Sequence, residues 1–286
     1  MEIVLSSEES RTWPPELEPN QPAAIFVVNL IPGRPTVKMA VCIKRVADME
    51  TRFKIAADGK SVDNAGLKFD MSDFDGYAVE VALRLKEKEG EGDITVVSLG
   101  PTVVQETLRK ALSMGADRAI QLEAEQIPFD GLAIARALAA ELQGGGYDLI
   151  LFGRMAIDSS NQTVGPMVAE LLGLPCLTAA SRLDIADGRA TARRELEGGA
   201  EILEFPLPAV VTIDEGIARP RLPSLKGIMG AKKKPLEVKP AQLGEQHVTV
   251  KRMELPPDRV GGRIVGEGPD AVAELVKLLR TEAKVL

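Results

Sequence analysis

Histidine is almost missing from this chain of 286 residues: His247 is the only one, which removes any mechanism needing two imidazoles and any His-rich metal cluster. His247 reads as a surface residue of the tail. Cysteine is nearly as scarce. Cys42 and Cys176 are too few for a disulfide framework, and Cys42 sits in an apolar run where a buried free thiol is the default, so a reducing, cytoplasmic setting is expected. Aromatic residues make up 3%, and 35 basic against 42 acidic residues leave a net charge of -7. Neither base stacking nor phosphate neutralisation is the theme, and no nucleic-acid partner is expected. Long apolar runs are absent too. Residues 23–31 are the best candidate and are far too short to span a bilayer, so no direct membrane insertion is expected.

The chain is long enough to bury about three quarters of its unfolded surface, which suits one large domain with or without appendages. Residues 1–38 carry six prolines and no basic start followed by an apolar core and a cleavage site, so they read as a flexible extension and not as a signal peptide. Within it, residues 23–31 are either a short strand or a sticky patch, and Met39 is a candidate native start. From Met39 onward, short apolar runs alternate with helical periods, which specifies an α/β fold: a Rossmann-like parallel sheet with helices on both faces. Strands are expected at Met39–Ile43, Ile94–Leu99, Ala119–Leu122 and Leu149–Phe152. Helical stripes run through Ala78, Val81, Ala82 and Leu85, then Val104, Leu108, Ala111 and Leu112, then Ala135, Leu138, Ala139 and Leu142. Thr102 and Gln105 have capping-box spacing for the second of these. Asp187-Gly188 and Gly198-Gly199 mark turns of an added antiparallel hairpin that leads to the buried-looking run Ala209–Ile213. The main domain is expected over 39–231. Residues 232–286 read as an extended C-terminal arm ending in a helix whose stripe, Val272, Leu275, Val276 and Leu279, needs a partner surface.

Two segments invite a functional reading. Leu149–Phe152 runs into Gly153-Arg154-Met155-Ala156-Ile157-Asp158-Ser159-Ser160-Asn161-Gln162-Thr163 before a helix starting at Val164, the place where open α/β sheets bind ligands. Free N–H groups at a helix start attract phosphate, hydroxyls add hydrogen bonds, and Gly165 permits close approach. The alternative is an ordinary capped helix entry, since neither a Walker lysine nor a full dinucleotide fingerprint is present. Ser98-Leu99-Gly100-Pro101-Thr102 is a second, weaker strand end of the same kind. The other segment, residues 219–235, is a Pro- and Gly-punctuated loop that carries Leu222, Leu225, Ile228 and Met229 beside the run Lys232-Lys233-Lys234. It either covers the core or touches a partner.

Several motifs in one order resemble the beta subunit of electron transfer flavoprotein, over nearly everything from Met39 onward. They are Ile43-Lys44-Arg45-Val46-Ala47-Asp48, then Gly100-Pro101 with Gln105 through Arg118, Ala156-Ile157-Asp158, Arg193 through Thr212, and the 219–235 loop. The resemblance implies an adenine nucleotide alpha hydrolase-like domain in a heterodimer whose alpha subunit holds most of the FAD. The nucleotide, AMP by preference and a second FAD in bifurcating relatives that oxidise NADH, would be bound by Ala47, Asp48, Leu99, Gly153, Asp158, Asn161, Gln162, Thr163, Val164 and Gly165. Leu225, with Ile228 and Met229, would recognise acyl-CoA dehydrogenases, and Glu195 would meet the FAD domain of the alpha subunit. Electrons would pass on to a quinone-reducing acceptor, with no catalytic residue, no bond-making chemistry and no metal in this chain. Three places depart from the family pattern. Ser72-Asp73-Phe74 stands where Asn-Pro-Phe is frequent, Met49 where an aromatic is frequent, and Asp158–Pro166 lies between the AMP and bifurcating patterns. A homodimeric nucleotide-binding regulator is the reading from a different class; it leaves the loop and arm unexplained.

Overall fold

The computed structural model describes residues 2–6, 37–257 and 261–286. Strand and helix alternate from β2 (Val37–Cys42) through the short pair β3 (Arg45–Ala47) and β4 (Phe69–Met71), α1 (Asp73–Glu89), β5 (Gly92–Gly100), α2 (Val104–Met114), β6 (Arg118–Glu123), α3 (Gly131–Leu142), β7 (Leu149–Gly153) and α4 (Val164–Leu172). There follow β8 (Cys176–Ala186), β9 (Arg189–Leu196), β10 (Gly199–Pro206), β11 (Ala209–Ile213), α5 (Leu225–Ala231) and β12 (Leu236–Pro240). Nine strands form one sheet in the order β10-β9-β8-β11-β7-β2-β5-β6-β12. From β8 across to β12 all neighbours run parallel, while β8, β9 and β10 meander antiparallel, so the α/β architecture and the added hairpin are as the patterning requires. The hairpin turns on Asp187 and Gly188, both at positive φ, which matches the twist of the strands they join.

Alternation along each strand divides the core. Met39, Val41, Ile94, Val96, Leu149, Leu151 and Val211 face a layer containing α1 and α2, where Leu108 and Leu112 are fully buried. Ala40, Cys42, Val97, Ile150, Phe152 and Val210 face the layer of α3 and α4. Cys42 is a buried free thiol, as its setting implies, and burial pushes its pKa up.

Local chemistry departs from the sequence expectations in three places. Thr102 does not cap α2: Gln105 instead turns its amide to the buried Gln121, Nε2 to Oε1 at 2.7 Å, because the sheet offers a partner that water would otherwise have to supply. The segment 219–235 is not a loop throughout. Ser224 accepts from the Gly227 N–H at 3.0 Å and caps α5, a helix of seven residues. Lys234 is not simply solvated, since its Nζ donates to Leu112 O and Ala116 O at the end of α2, and burial lowers its pKa.

The sheet also continues past residue 231, because β12 pairs with β6 as the edge strand. Beyond it the arm is tied to α3 by the His247 N–H, which donates to Asp130 Oδ2 at 2.7 Å, and His247 itself is exposed. Strand β13 (Thr249–Glu254) pairs antiparallel with β1 (Glu2–Ser6), so the first residues of the extension join the arm. Residues 7–36, including 23–31, lie outside the described residues, and Val37 and Lys38 already belong to β2. The last elements are a single 3-10 turn, α6 (Val272–Leu278) and a π turn to Ala283, with Val272 and Leu275 exposed.

Leu108→Ala should lower stability by about 2–5 kcal/mol through the cavity it leaves. Val272→Ala should change it by less than about 0.5 kcal/mol in the isolated chain. Urea melts of the two variants check the burial assigned to each layer.

Candidate nucleotide cleft and partner surface

The carboxyl ends of β2, β5 and β7 lie side by side, with Cys42 paired to Val97 on one side and to Phe152 on the other, and they define the floor of the candidate cleft. Its walls are β3, which follows β2, and the segment 154–163, which follows β7. Asp75 in the first turn of α1 joins two of these strand ends. Its Oδ2 accepts from Lys44 N at 2.7 Å and its Oδ1 from Gly153 N at 3.1 Å. A Cβ at Gly153 would lie 2.5 Å from Asp75 Oδ1 and 2.6 Å from the Phe74 backbone, so this glycine exists to let α1 reach the strand end. Burial pushes the Asp75 carboxyl up to about 7 from an ordinary 3.8, against the two N–H donors and Lys44, with Asp158 adding to the rise.

The cleft wall is held by polar ties. Lys44 Nζ pairs with Asp158 at 2.7 Å, Arg154 pairs with Asp214 at 2.9 Å, and Arg154 Nε donates to Gln162 Oε1 at 3.1 Å. Ser72, in the position of the departed Asn, is fully buried and its Oγ lies 3.4 Å from both Met155 O and Ile157 N. Ser160 and Gln162 take positive φ, a strained state for residues with a side chain.

These ties place each sequence candidate. Leu99 is buried at the end of β5 and Ala47 is half-buried at the end of β3. Asp48 is exposed and spends Oδ1 on the Glu50 N–H of its own turn at 3.0 Å. Asp158, Asn161, Gln162 and Thr163 are exposed, and Val164 is half-buried. Gly165 points the other way: a Cβ there would meet Thr212 Cγ2 at 2.7 Å, so its close approach is to the sheet and not to a ligand. Asp75 is a site residue the sequence reading does not single out, whereas Ser98 lies in its second candidate strand end. The signal for Asp75 is a carboxylate in register with the apolar stripe of Ala78, Ala82 and Leu85.

One feature of this edge suits a phosphate-bearing ligand. Helix α4 has no side-chain cap, which leaves its first N–H groups available to a phosphate. Ser98 Oγ is also buried with no hydrogen-bond partner among the described residues, but strand alternation turns it to the α1 and α2 side of β5 with Val96, away from α4. Free buried hydroxyls are uncommon because each lost hydrogen bond is costly.

The other candidates lie apart from the cleft. Glu195 is on β9, half exposed, with Oε1 accepting from Ser181 Oγ at 3.0 Å and pairing with Arg193 at 3.1 Å. It rims a groove of about 670 Å³ between α1, β8, β9 and residues 215–218, directly after the Asp214 that holds Arg154. Leu225, Ile228 and Met229 share α5, and Leu225 and Met229 are 82% and 73% exposed, which places them on a surface and not over the core. Met49 is half exposed.

Comparison with known proteins gives one consistent family. The electron transfer flavoprotein domain model matches residues 60–243. Electron transfer flavoprotein subunit beta of Bacillus subtilis is 39% identical over 261 residues, covering 87% of this chain and 100% of the relative. The subunit of the same name from Homo sapiens is 39% identical over 251 residues, 85% of this chain and 98% of the relative. That from Syntrophomonas wolfei is 37% identical over 250 residues, 87% and 98% respectively.

Asp75 has a pH signature. A carboxyl whose folded pKa is raised stabilises most below its unfolded value, about 4, and that contribution is lost as pH rises through about 7. Urea melts across this window should show declining stability in the wild type and a flatter profile in Asp75→Asn, which stays neutral. Parallel profiles would show that Asp75 does not titrate there.

Proposed function

The chain belongs to the electron transfer flavoprotein beta-subunit family, and from that premise we propose that it is one half of a heterodimer that carries electrons from acyl-CoA dehydrogenases towards a quinone-reducing acceptor. The observation that carries this reading is the apolar face of α5, where Leu225 and Met229 are exposed on a short capped helix. Exposed apolar clusters have a physical reason when a partner desolvates them. FAD, shared with the alpha subunit, supplies the electron acceptance and release when bound, and this chain supplies position and electrostatics. It is a carrier subunit with no bond-making step of its own.

Each remaining surface has a role in that assembly. Glu195 offers a half-exposed carboxylate, steadied by Ser181 and Arg193, to a cation of the FAD domain. The uncovered residues of α6, Val272 and Leu275, fit against the alpha subunit as part of the extended arm. In the cleft, AMP meets the N–H groups at the start of α4, the hydroxyl of Thr163, and the amides of Asn161 and Gln162. A second FAD with NADH oxidation is the runner-up, supported by Asp158 and Val164-Gly165-Pro166, which match the bifurcating pattern. A homodimeric nucleotide-binding regulator leaves the α5 face without an occupant. Among the described residues, no helix is long and apolar enough to cross a membrane.

Two measurements test the proposal. Nucleotides released by denaturing the co-expressed yellow complex should be one FAD and one AMP per heterodimer; two FAD and no AMP would favour bifurcation, and a yellow homo-oligomer of this chain alone would sink the heterodimer. Leu225→Ala should raise KM for a reduced acyl-CoA dehydrogenase about thirtyfold, the loss of about 2 kcal/mol of anchor, with melting and flavin content unchanged. Normal transfer with a destabilised fold would make α5 structural.

A further inference from the structure

We infer that Arg221 and Arg109 are positioning residues for docking: they clamp the two ends of α5 so that Leu225 is presented to a partner in one fixed geometry. The inference rests on the reading of α5 as the recognition surface. A helix of seven residues does not hold itself in water, so its order comes from what it is fastened to.

At the entry, Arg221 forks onto α1. Its backbone N–H and Nε donate to Glu80 Oε2 at 3.2 and 2.8 Å, Nη2 donates to Glu80 Oε1 and Glu87 Oε2, both at 3.1 Å, and Nη1 also reaches Glu87. Glu80 is only 3% exposed and takes a further bond from Arg84 Nε at 3.0 Å. At the exit, Arg109 Nη1 donates to Ala231 O at 2.6 Å and Lys234 O at 2.8 Å, and Lys234 Nζ returns to the end of α2 at Leu112 O and Ala116 O. Between the clamps α5 lies on the backbone of α2. A Cβ at Gly227 would fall 2.3 Å from Ser113 O. The inner side of the segment is thus closed while Leu222, Leu225 and Met229 remain outside.

A buried carboxylate with its arginine is a poor way to gain stability, because both ions lose water, but a forked pair fixes direction as well as distance. An anchor already fixed loses little freedom when it enters a socket, so its holders influence affinity without touching the partner. Arg221 and Arg109 therefore govern capture of the donor and not electron passage after capture.

The test is a mutant cycle on the co-expressed heterodimer, with a reduced acyl-CoA dehydrogenase as donor. Arg221→Met and Arg109→Met should each raise KM about tenfold while leaving kcat at saturating donor and flavin content unchanged. In a Leu225→Ala background the same changes should add less than about twofold, since a displaced anchor and a missing one are the same loss. Arg221→Lys keeps the charge without the fork, so it should show the same KM rise, and it stands in if Arg221→Met fails to assemble. Unchanged KM in the arginine variants, a fall in kcat without a rise in KM, or a full second tenfold on top of Leu225→Ala would overturn the inference alone. If Leu225→Ala itself leaves KM unchanged, the docking reading fails, and the inference falls with it.

Discussion

A parallel sheet covered by helices on both faces has no polar surface except at its ends, and that constraint sets where the candidate cleft can lie. The strands β2, β5 and β7 are buried on both sides by two apolar layers, so hydrogen-bonding groups can accumulate only where the strands stop. The candidate cleft and the Arg154–Asp214 pair lie along that edge.

Asp75 makes the edge a defined shape. A carboxylate buried between two strand ends is unfavourable in isolation, yet it satisfies the Lys44 and Gly153 N–H groups that β2 and β7 would otherwise leave open. Its presence dictates the glycine at 153 and holds Lys44 where its ammonium reaches Asp158, so the loop after β7 is set in part by a residue that lies beneath it. The start of α4, without a side-chain cap, leaves N–H groups at that edge.

The opposite problem occurs at α5, where apolar groups are exposed and polar ones hidden. Glu80 is sunk in α1 so that Arg221 can hold the entry to α5, and Lys234 is drawn from the basic run to close the end of α2. The run Lys232–Lys234 and the Pro- and Gly-punctuated segment before it are one braced element. Charge on the inside permits hydrophobe on the outside, because a short helix fixed by ionic forks does not have to bury its own apolar face.

Period and punctuation alone determined the α/β class, the strands from Met39 to Phe152, the three helical stripes and the turn at Asp187-Gly188, since each depends on neighbours within a few residues. The motifs from Lys44 to Lys234 likewise carried the family, which the 60–243 match and the relatives bear out. Only the tertiary structure decided what Asp75, Ser98, Arg109 and Arg221 do, why Gly165 faces the sheet, and that 225–231 is helical. Those outcomes hinge on partners far along the chain, Gly153 for Asp75 and Glu80 for Arg221, and a buried polar group takes its meaning from whichever distant donor or acceptor the fold delivers to it.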